Sequence, residues 1–306
     1  MAMNDSHTHA VSIAEMRGNY QETVPRIPVD LTTKMSVFAS AYSNVYRIST
    51  RSYSDVCVKA LRVLGDLSST EARDRQITKV MREMTTWVNL RHTNILPFLG
   101  YSELDGEHFI GLVSEWKQEG HILTYVGRHP EADRLSLLIG CADGLEYLHG
   151  CNVVHGDLKC QNVLITLSSD GTPIPLICDF GTSRIMGMRG YTTQSLWGTQ
   201  GFLAPELIEE SESARAIPTS DSDVWAFGVM AFQLFIGQEN ISTREKFNPN
   251  MKFPSDVRGL TSPVWSVMLS CWRRQPSKRP RAEKICRGLR VVQTTGELPE
   301  RDCILM

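Results

Sequence analysis

The chain has 306 residues, 42% hydrophobic and 22% charged, enough apolar material for one large domain or two lobes with a proper core, which excludes disorder throughout. With 32 basic against 34 acidic residues the formal charge is -2, so no global field draws the chain to nucleic acid or to an anionic membrane. An anionic ligand has to be held by a local site. The 8 cysteines are scattered, without C-x-x-C or knuckle spacing, and read as reduced thiols of a cytoplasmic or nuclear protein.

The start, MAMNDSHTHAVSIAEM, lacks the charged segment, apolar run and small-residue cleavage site of a secretory signal. Residues 1 to about 28 are polar and end in VPRIPVD, whose two prolines interrupt regular structure, so they read as an extension or linker with folding starting after it. From Lys34 to Leu61 apolar residues alternate (Val45 then Arg47; Val56, Val58, Ala60), as in strands with one covered face. Glu71 to Leu90 lacks Gly and Pro and is spaced as a helix through Ile77, Val80, Met84, Trp87 and Val88. Strand-like stretches at Leu96–Tyr101 and His108–Val113 flank a turn at Leu104–Gly106. Together these predict a small sheet with one helix.

Beyond Gly120 helical patterns dominate. Leu135, Leu138, Ile139, Ala142, Leu145 and Leu148 follow the i, i+3, i+4, i+7 rule and predict a long helix. Further helices are expected at Asp221–Phe235, Pro263–Trp272 and Arg281–Val291. The longest apolar run, Val224 to Gly237, contains Gln233 and is short for a membrane span, so it reads as a buried core helix. The basic run from Arg273 to Arg290 reads as a solvated helix face rather than a nucleic-acid surface.

Residues 155–181, HGDLKCQNVLITLSSDGTPIPLICDFG, concentrate the chemistry. Asp157, Lys159 and Asn162 fall within six residues, and Asp179 is followed by Phe180 and Gly181. Carboxylates and an amide are the hard oxygen ligands that a divalent cation on phosphates takes, and a carboxylate free of metal can orient a nucleophile. The stretch H-G-D-L-K-x-x-N closely resembles the H-R-D-L-K-x-x-N catalytic loop of eukaryotic-type protein kinases, and C-D-F-G resembles their metal-binding D-F-G. The resemblance implies that Asp157 accepts the substrate hydroxyl proton, that Lys159 steadies the transferring phosphoryl group, and that Asn162 and Asp179 hold magnesium.

Other kinase landmarks follow in order. VCVKAL resembles the V-A-I-K strand, which makes Lys59 the residue that grips the α and β phosphates of ATP, with Glu83 as its partner on the following helix. GTQGFLAPE resembles the end of an activation segment, and DSDVWAFGV the D-x-W-x-x-G helix through Asp223, Trp225 and Gly228. Arg279 of CWRRQPSKRP matches the arginine that pairs with the A-P-E glutamate, here Glu206. Taken singly, D-F-G occurs by chance, and a lysine on a strand or a glutamate on a helix is more often a surface charge. The ordered set, spanning roughly Val37 to Leu289, outweighs those readings. By the same resemblance Val45 and Cys57 lie above the adenine, Leu164 below it, and Ser114 is a small gatekeeper before the hinge at Glu115 and Trp116. Cys57 and Cys178 read as packing residues.

Three departures stand out. The glycine-rich loop G-x-G-x-x-G-x-V, ending at Val45, has Phe38, Ser40 and Ser43 at its glycine places, and each Cβ there is expected to crowd the phosphates and weaken nucleotide binding. Gly156 replaces the arginine of H-R-D, which removes a cation that pairs with activation-loop phosphate and predicts weak control through Thr192, Thr193 or Ser195. With Met306 as the C-terminus, Cys303-Ile304-Leu305-Met306 fits a prenylation box, yet the acidic GELPERD before it lacks a polybasic second signal.

The resemblance implies an α+β, bilobal kinase fold: an antiparallel β-sheet lobe with one helix (about 31–115) and a larger, mainly helical lobe (about 120–292), with ATP and magnesium in the cleft between them. Residues 1–30 are the extension and 293–306 a tail. L-K-x-x-N and Thr199 of GTQGF resemble serine/threonine enzymes, while HTNILPFLGY, SDVWAFGV and the C-W ending resemble the tyrosine-kinase-like group. The expected activity is transfer of the ATP γ-phosphate to serine or threonine of a protein substrate. The alternative is a pseudokinase scaffold with a degenerate phosphate loop.

Overall fold

The computed structural model describes residues 24–29, 35–39, 43–50, 55–61, 70–104, 109–186, 199, 201–209, 217–238 and 247–298. Ser40, Thr192, Thr193, Ser195, Gly198 and Cys303–Met306 lie outside the described residues. By internal contacts the chain divides into two units, Met1–Leu90 with Pro97–Trp116, and Arg91–Leu96 with Lys117–Met306.

The first unit is built on an antiparallel sheet of β1 (Phe38–Ala39), β2 (Ser43–Ile48), β3 (Val56–Leu61), β4 (Phe98–Leu104) and β5 (Phe109–Glu115), in the order β1-β2-β3-β5-β4. Alternation along β2 and β3 sorts side chains between its faces. Ile48, Val56, Val58 and Val113 form a cluster on one face with Tyr46, Ala60 and Leu99 packed against it. The register pairs Val45 with Lys59, Cys57 with Ser114 and Lys59 with Leu112, so these residues share the other face.

Residues near the start of the described chain correct the reading of 1 to about 28 as an extension preceding the fold. Val24 and Ile27 are buried, and Ile27 belongs to the sheet cluster. Ile27 N donates to the Tyr101 carbonyl (2.8 Å) and Tyr101 N to the Pro25 carbonyl (3.1 Å), so this segment runs parallel to β4 and occupies its edge. A Cβ on Gly100 would sit 2.1 Å from the Pro25 carbonyl, so glycine is what admits the segment. Composition misjudged it because its two buried residues are too few to show a period.

Helix α1 (Thr70–Trp87) is the one helix among the described residues of this unit. Val80, Met84 and Trp87 are buried at the predicted spacing, and Trp87 packs on Phe98 with ring centroids 5.1 Å apart. That burial turns the same helical face, and Glu83 with it, inward.

The second unit is mainly helical: α2 (Ile122–Arg128), α3 (Arg134–Gly150), α4 (Pro205–Glu209), α5 (Ser220–Ile236), α6 (Ser262–Cys271) and α7 (Ala282–Thr295). Asp133 caps α3, its carboxylate accepting from Leu135 N (3.0 Å) and Ser136 N (3.1 Å). A capping box of Thr219 and Ser222 starts α5, and Gly237 in the left-handed region ends it. Nearly every residue of α5 is buried, as its unbroken apolar run predicts; no helix among the described residues is long and apolar enough to cross a membrane. Gly228 lets α6 approach, since a Cβ there would lie 2.7 Å from Trp272 Nε1.

Short strands complete the second unit. β7 (Val163–Leu167) and β8 (Pro173–Ile177) form a hairpin, and β6 (Val153–Val154) pairs with β9 (Arg184–Ile185). The helices predicted at 135–148, 221–235, 263–272 and 281–291 are present within a few residues at their ends. The five-residue α4 and seven-residue α2 were not anticipated, being too short to display a helical period.

Candidate functional site

In the first unit the sheet and α1 bring Lys59 and Glu83 together. Lys59 Nζ lies 2.8 Å from Glu83 Oε1, with side chains 16% and 0% exposed. The carboxylate is carried inward by the buried face of α1. Such a pair fixes the direction of the ammonium, because moving it away leaves a buried charge uncompensated.

Val45, Cys57, Lys59 and Ser114 share one face of the sheet, as the register requires. Glu115 ends β5, and Trp116 N donates to the Asp55 carbonyl (3.1 Å) while its ring faces the Arg47 guanidinium at 5.4 Å. Burial pushes the Cys57 thiol up to about 11, with the Ser114 hydrogen bond and the Lys59 charge pulling the other way. Cys57 is therefore a protonated packing group near neutral pH. Leu164, half-buried on β7, belongs to the second unit, where it pairs with Leu176.

Asp157 is the centre of the second set. Lys159 Nζ donates to its Oδ2 (2.7 Å), Thr199 Oγ1 to its Oδ1 (2.8 Å), and Asn162 Nδ2 to its backbone carbonyl (2.8 Å) and Oδ2 (3.2 Å). Lys159 Nζ also donates to Thr199 Oγ1 (2.6 Å), which closes a ring of lysine, threonine and carboxylate. The sequence marked Thr199 only as a class feature; its position against a residue 42 earlier is visible only in the fold.

The loop's backbone is anchored from α5. Asp223 accepts from His155 N (2.8 Å) and Gly156 N (2.9 Å), one oxygen for each, and contacts His149 Nε2 at 3.1 Å. Gly156 has φ +79, and a Cβ on it would meet the Thr182 carbonyl at 3.0 Å. At this position glycine therefore relieves the backbone as well as removing the arginine's charge.

His155 joins the loop to D-F-G, a role that sequence reasoning missed although the residue opens the motif. Its Nδ1 accepts from Asp157 N (3.2 Å), which assigns the proton to Nε2 and lets that nitrogen donate to the Cys178 carbonyl (3.0 Å). The His155 carbonyl accepts from Thr182 Oγ1 (3.1 Å) and Ser183 Oγ (3.0 Å), and its ring packs on Phe180 at 5.6 Å. Cys178 N donates to the Asn162 carbonyl (2.9 Å), which places Asp179 one residue from the backbone of Asn162.

Asp179 has φ 66 and ψ 76; among the described residues only Asn152 shares positive φ without being glycine. A left-handed aspartate costs about 1–3 kcal/mol and persists only where its surroundings impose it, a pattern common at functional sites. Asn162, with its NH2 spent on Asp157, keeps its side-chain oxygen for other use. An amide oxygen and a carboxylate suit a hard divalent cation.

Two further clusters have other characters. Arg279 grips Glu206 with two parallel bonds of 2.6 and 2.7 Å, its side chain fully buried, and donates to the carbonyls of Arg273 and Asp221. This is the predicted structural pair. Asp143, Glu146 and Cys286 could surround an ion, but Arg290 already supplies a positive charge to Asp143 at 2.7 Å. Burial and the Asp143 hydrogen bond push the Cys286 thiol up to about 12, and it donates to Asp143 (2.6 Å).

The family of the protein kinase domain matches residues 39–288. Among curated proteins the chain is similar to the serine/threonine-protein kinase CTR1 of Arabidopsis thaliana, 29% identical over 265 residues covering 82% of this chain and 30% of the relative. It is 30% identical to the serine/threonine-protein kinase PkaA of Streptomyces coelicolor, over 76% of this chain and 42% of the relative. Similarity to the putative L-type lectin-domain containing receptor kinase I.11 of Arabidopsis thaliana is 32%, over 76% of this chain and 31% of the relative. The chain thus aligns with less than half the length of each of these relatives.

Proposed function

Given that the chain belongs to the protein kinase family, with serine/threonine-protein kinases among its relatives, we propose that it transfers the γ-phosphoryl group of ATP to serine or threonine hydroxyls of a protein. The observation that carries the proposal is the ring around Asp157, whose carboxylate is oriented by Lys159, Asn162 and the Thr199 hydroxyl. A carboxylate so held has one direction in which to accept the proton of an incoming hydroxyl. Lys159 offsets the charge that develops on the phosphoryl group, and Lys59, aimed by Glu83, holds the α and β phosphates. Asn162 and Asp179 supply oxygens for magnesium, which when bound shields the negative charge of the triphosphate.

A serine or threonine acceptor is supported by the relatives named as serine/threonine-protein kinases and by Thr199, a residue that resembles serine/threonine enzymes at this place. The proposed setting is cytoplasmic. The test is magnesium-dependent phosphate transfer to a generic protein substrate, read beside ATP binding, with wild type compared to Asp157→Asn. Transfer by wild type and its loss in a variant that still binds ATP is the expected result.

A second reading, a kinase-like scaffold without transfer, rests on Phe38 and Ser43 at two glycine places of the phosphate loop. Wild type that binds ATP yet transfers nothing, as Asp157→Asn does, would establish it.

A further inference from the structure

Phe38 occupies the first glycine place of the phosphate loop, and strand register decides which way it looks. Cross-strand partners in an antiparallel sheet carry their side chains on one face. Phe38 pairs with Val45, Val45 with Lys59 and Lys59 with Leu112, so a single row crosses β1, β2, β3 and β5 from the phenyl through the isopropyl group to the ammonium. The apolar cluster of Ile27, Ile48, Val56, Val58 and Val113 fills the opposite face and does not include Phe38.

Phe38 is 61% exposed, and Val37 beside it is 54% exposed. Val37 N donates to the Val45 carbonyl (2.9 Å), which draws both residues against Val45. Sequence reasoning expected the side chains at the glycine places to crowd the phosphates. Phe38 and Ser43 instead continue β1 and β2, and neither has positive φ. Ser40 lies outside the described residues. The phenyl therefore sits two strands from Lys59, on the Val45 side, whereas the phosphates belong at Lys59 itself. Neighbouring strands are about 4.8 Å apart, so the row is long enough for a nucleotide to lie along it from phosphates to base.

We propose that Phe38 covers the ribose and base of the bound nucleotide, supplying at the nucleoside end contact area that the loop forgoes at the phosphates. The proposal rests on ATP being the ligand and adds a nucleoside-binding residue to that site. An aromatic ring suits this role because every base presents a π-face for it to stack on.

The test is calorimetric titration of the full chain with magnesium-ATP, adenosine and inorganic tripolyphosphate, for wild type and for Phe38→Ala, Phe38→Gly and Phe38→Trp. Stacking predicts that Ala and Gly weaken both ATP and adenosine by about fivefold or more, leave tripolyphosphate within about twofold, and that Trp preserves all three. Tighter ATP or tripolyphosphate binding in Phe38→Gly would show the phenyl obstructing phosphates and overturn the proposal; so would unchanged adenosine binding in Phe38→Ala. Wild type that binds no magnesium-ATP overturns the kinase reading and this one together, whereas normal ATP binding that ignores residue 38 overturns this one alone. The unliganded melting curve checks each variant's fold, and Phe38→Leu, which keeps apolar bulk without the ring, replaces any variant that fails; adenosine binding by Leu equal to wild type then counts against stacking.

Discussion

The loop at His155–Asn162 and the β1–β2 hairpin at Phe38–Ile48 serve the same proposed ligand under opposite constraints. In the loop almost every polar group is spoken for: Asp157 by three side chains, His155 and Gly156 by Asp223, and His155 again by Cys178. In the hairpin, Phe38 is open on one face, and the glycines that the family pattern calls for are replaced. Proton acceptance and cation binding need particular atoms, so the loop tolerates few substitutes. Covering a nucleotide needs surface, which several side chains can provide, and the hairpin departs from the pattern where that freedom exists.

Four substitutions and one labelling experiment test this contrast, beginning with the largest effect. Asp157→Asn removes the proposed proton acceptor while keeping the shape of the loop; kcat is expected to fall by about 10²–10⁴-fold, with the Kd for ATP nearly unchanged. Thr199→Ala deletes the hydroxyl that bridges a charged lysine and a carboxylate; a transition-state loss equal to one such charged hydrogen bond, about 1.5–3 kcal/mol, should lower kcat roughly 10- to 100-fold. An equal rise in the Kd for ATP would mean that Thr199 positions nucleotide instead.

Gly156→Ala tests the backbone under the loop. With φ +79 and the Thr182 carbonyl 3.0 Å from the new Cβ, it should cost about 1–2 kcal/mol in denaturant unfolding. Gly127→Ala, inside α2 with nothing within 4 Å of the new Cβ, should instead stabilise by about 0.5–1 kcal/mol. Equal costs at the two glycines would remove the strain argument.

The smallest effect belongs to the sheet side. The raised Cys57 pKa of about 11, against 9.0 for an ordinary thiol, leaves little thiolate at pH 8. Alkylation of Cys57, followed by peptide mass spectrometry, should be slow there and climb about tenfold per pH unit past pH 9, where an ordinary thiol levels off. Levelling near pH 9 would show that burial does not govern this thiol.

Much of this was legible before folding was considered. The long helices at 134–150 and 220–236 announce themselves because they bury many residues at regular spacing, and Asp157, Asn162 and Asp179 because their motif is local. The buried Val24 and Ile27 were not legible: two apolar residues among prolines have no period, and Tyr101, which pairs with the backbone of Pro25 and Ile27, is far along the chain. Nor was the bridging position of Thr199, since nothing in GTQGF states which residue its hydroxyl meets.

The amino-acid order alone determined the family, the identities of the charged and amide groups, and the substitutions at Phe38, Ser40, Ser43 and Gly156, because side-chain chemistry and short spacings are written directly in the chain. Tertiary structure decided what no motif named, Thr199 against Asp157 and Phe38 on the face that bears Lys59, and gave the expected pairs of Glu83 with Lys59 and Glu206 with Arg279 their geometry. The reason is physical. A strand's register fixes its facing side chains two by two, and burial fixes which face of a helix turns inward; both are set by packing between segments that the linear order leaves far apart.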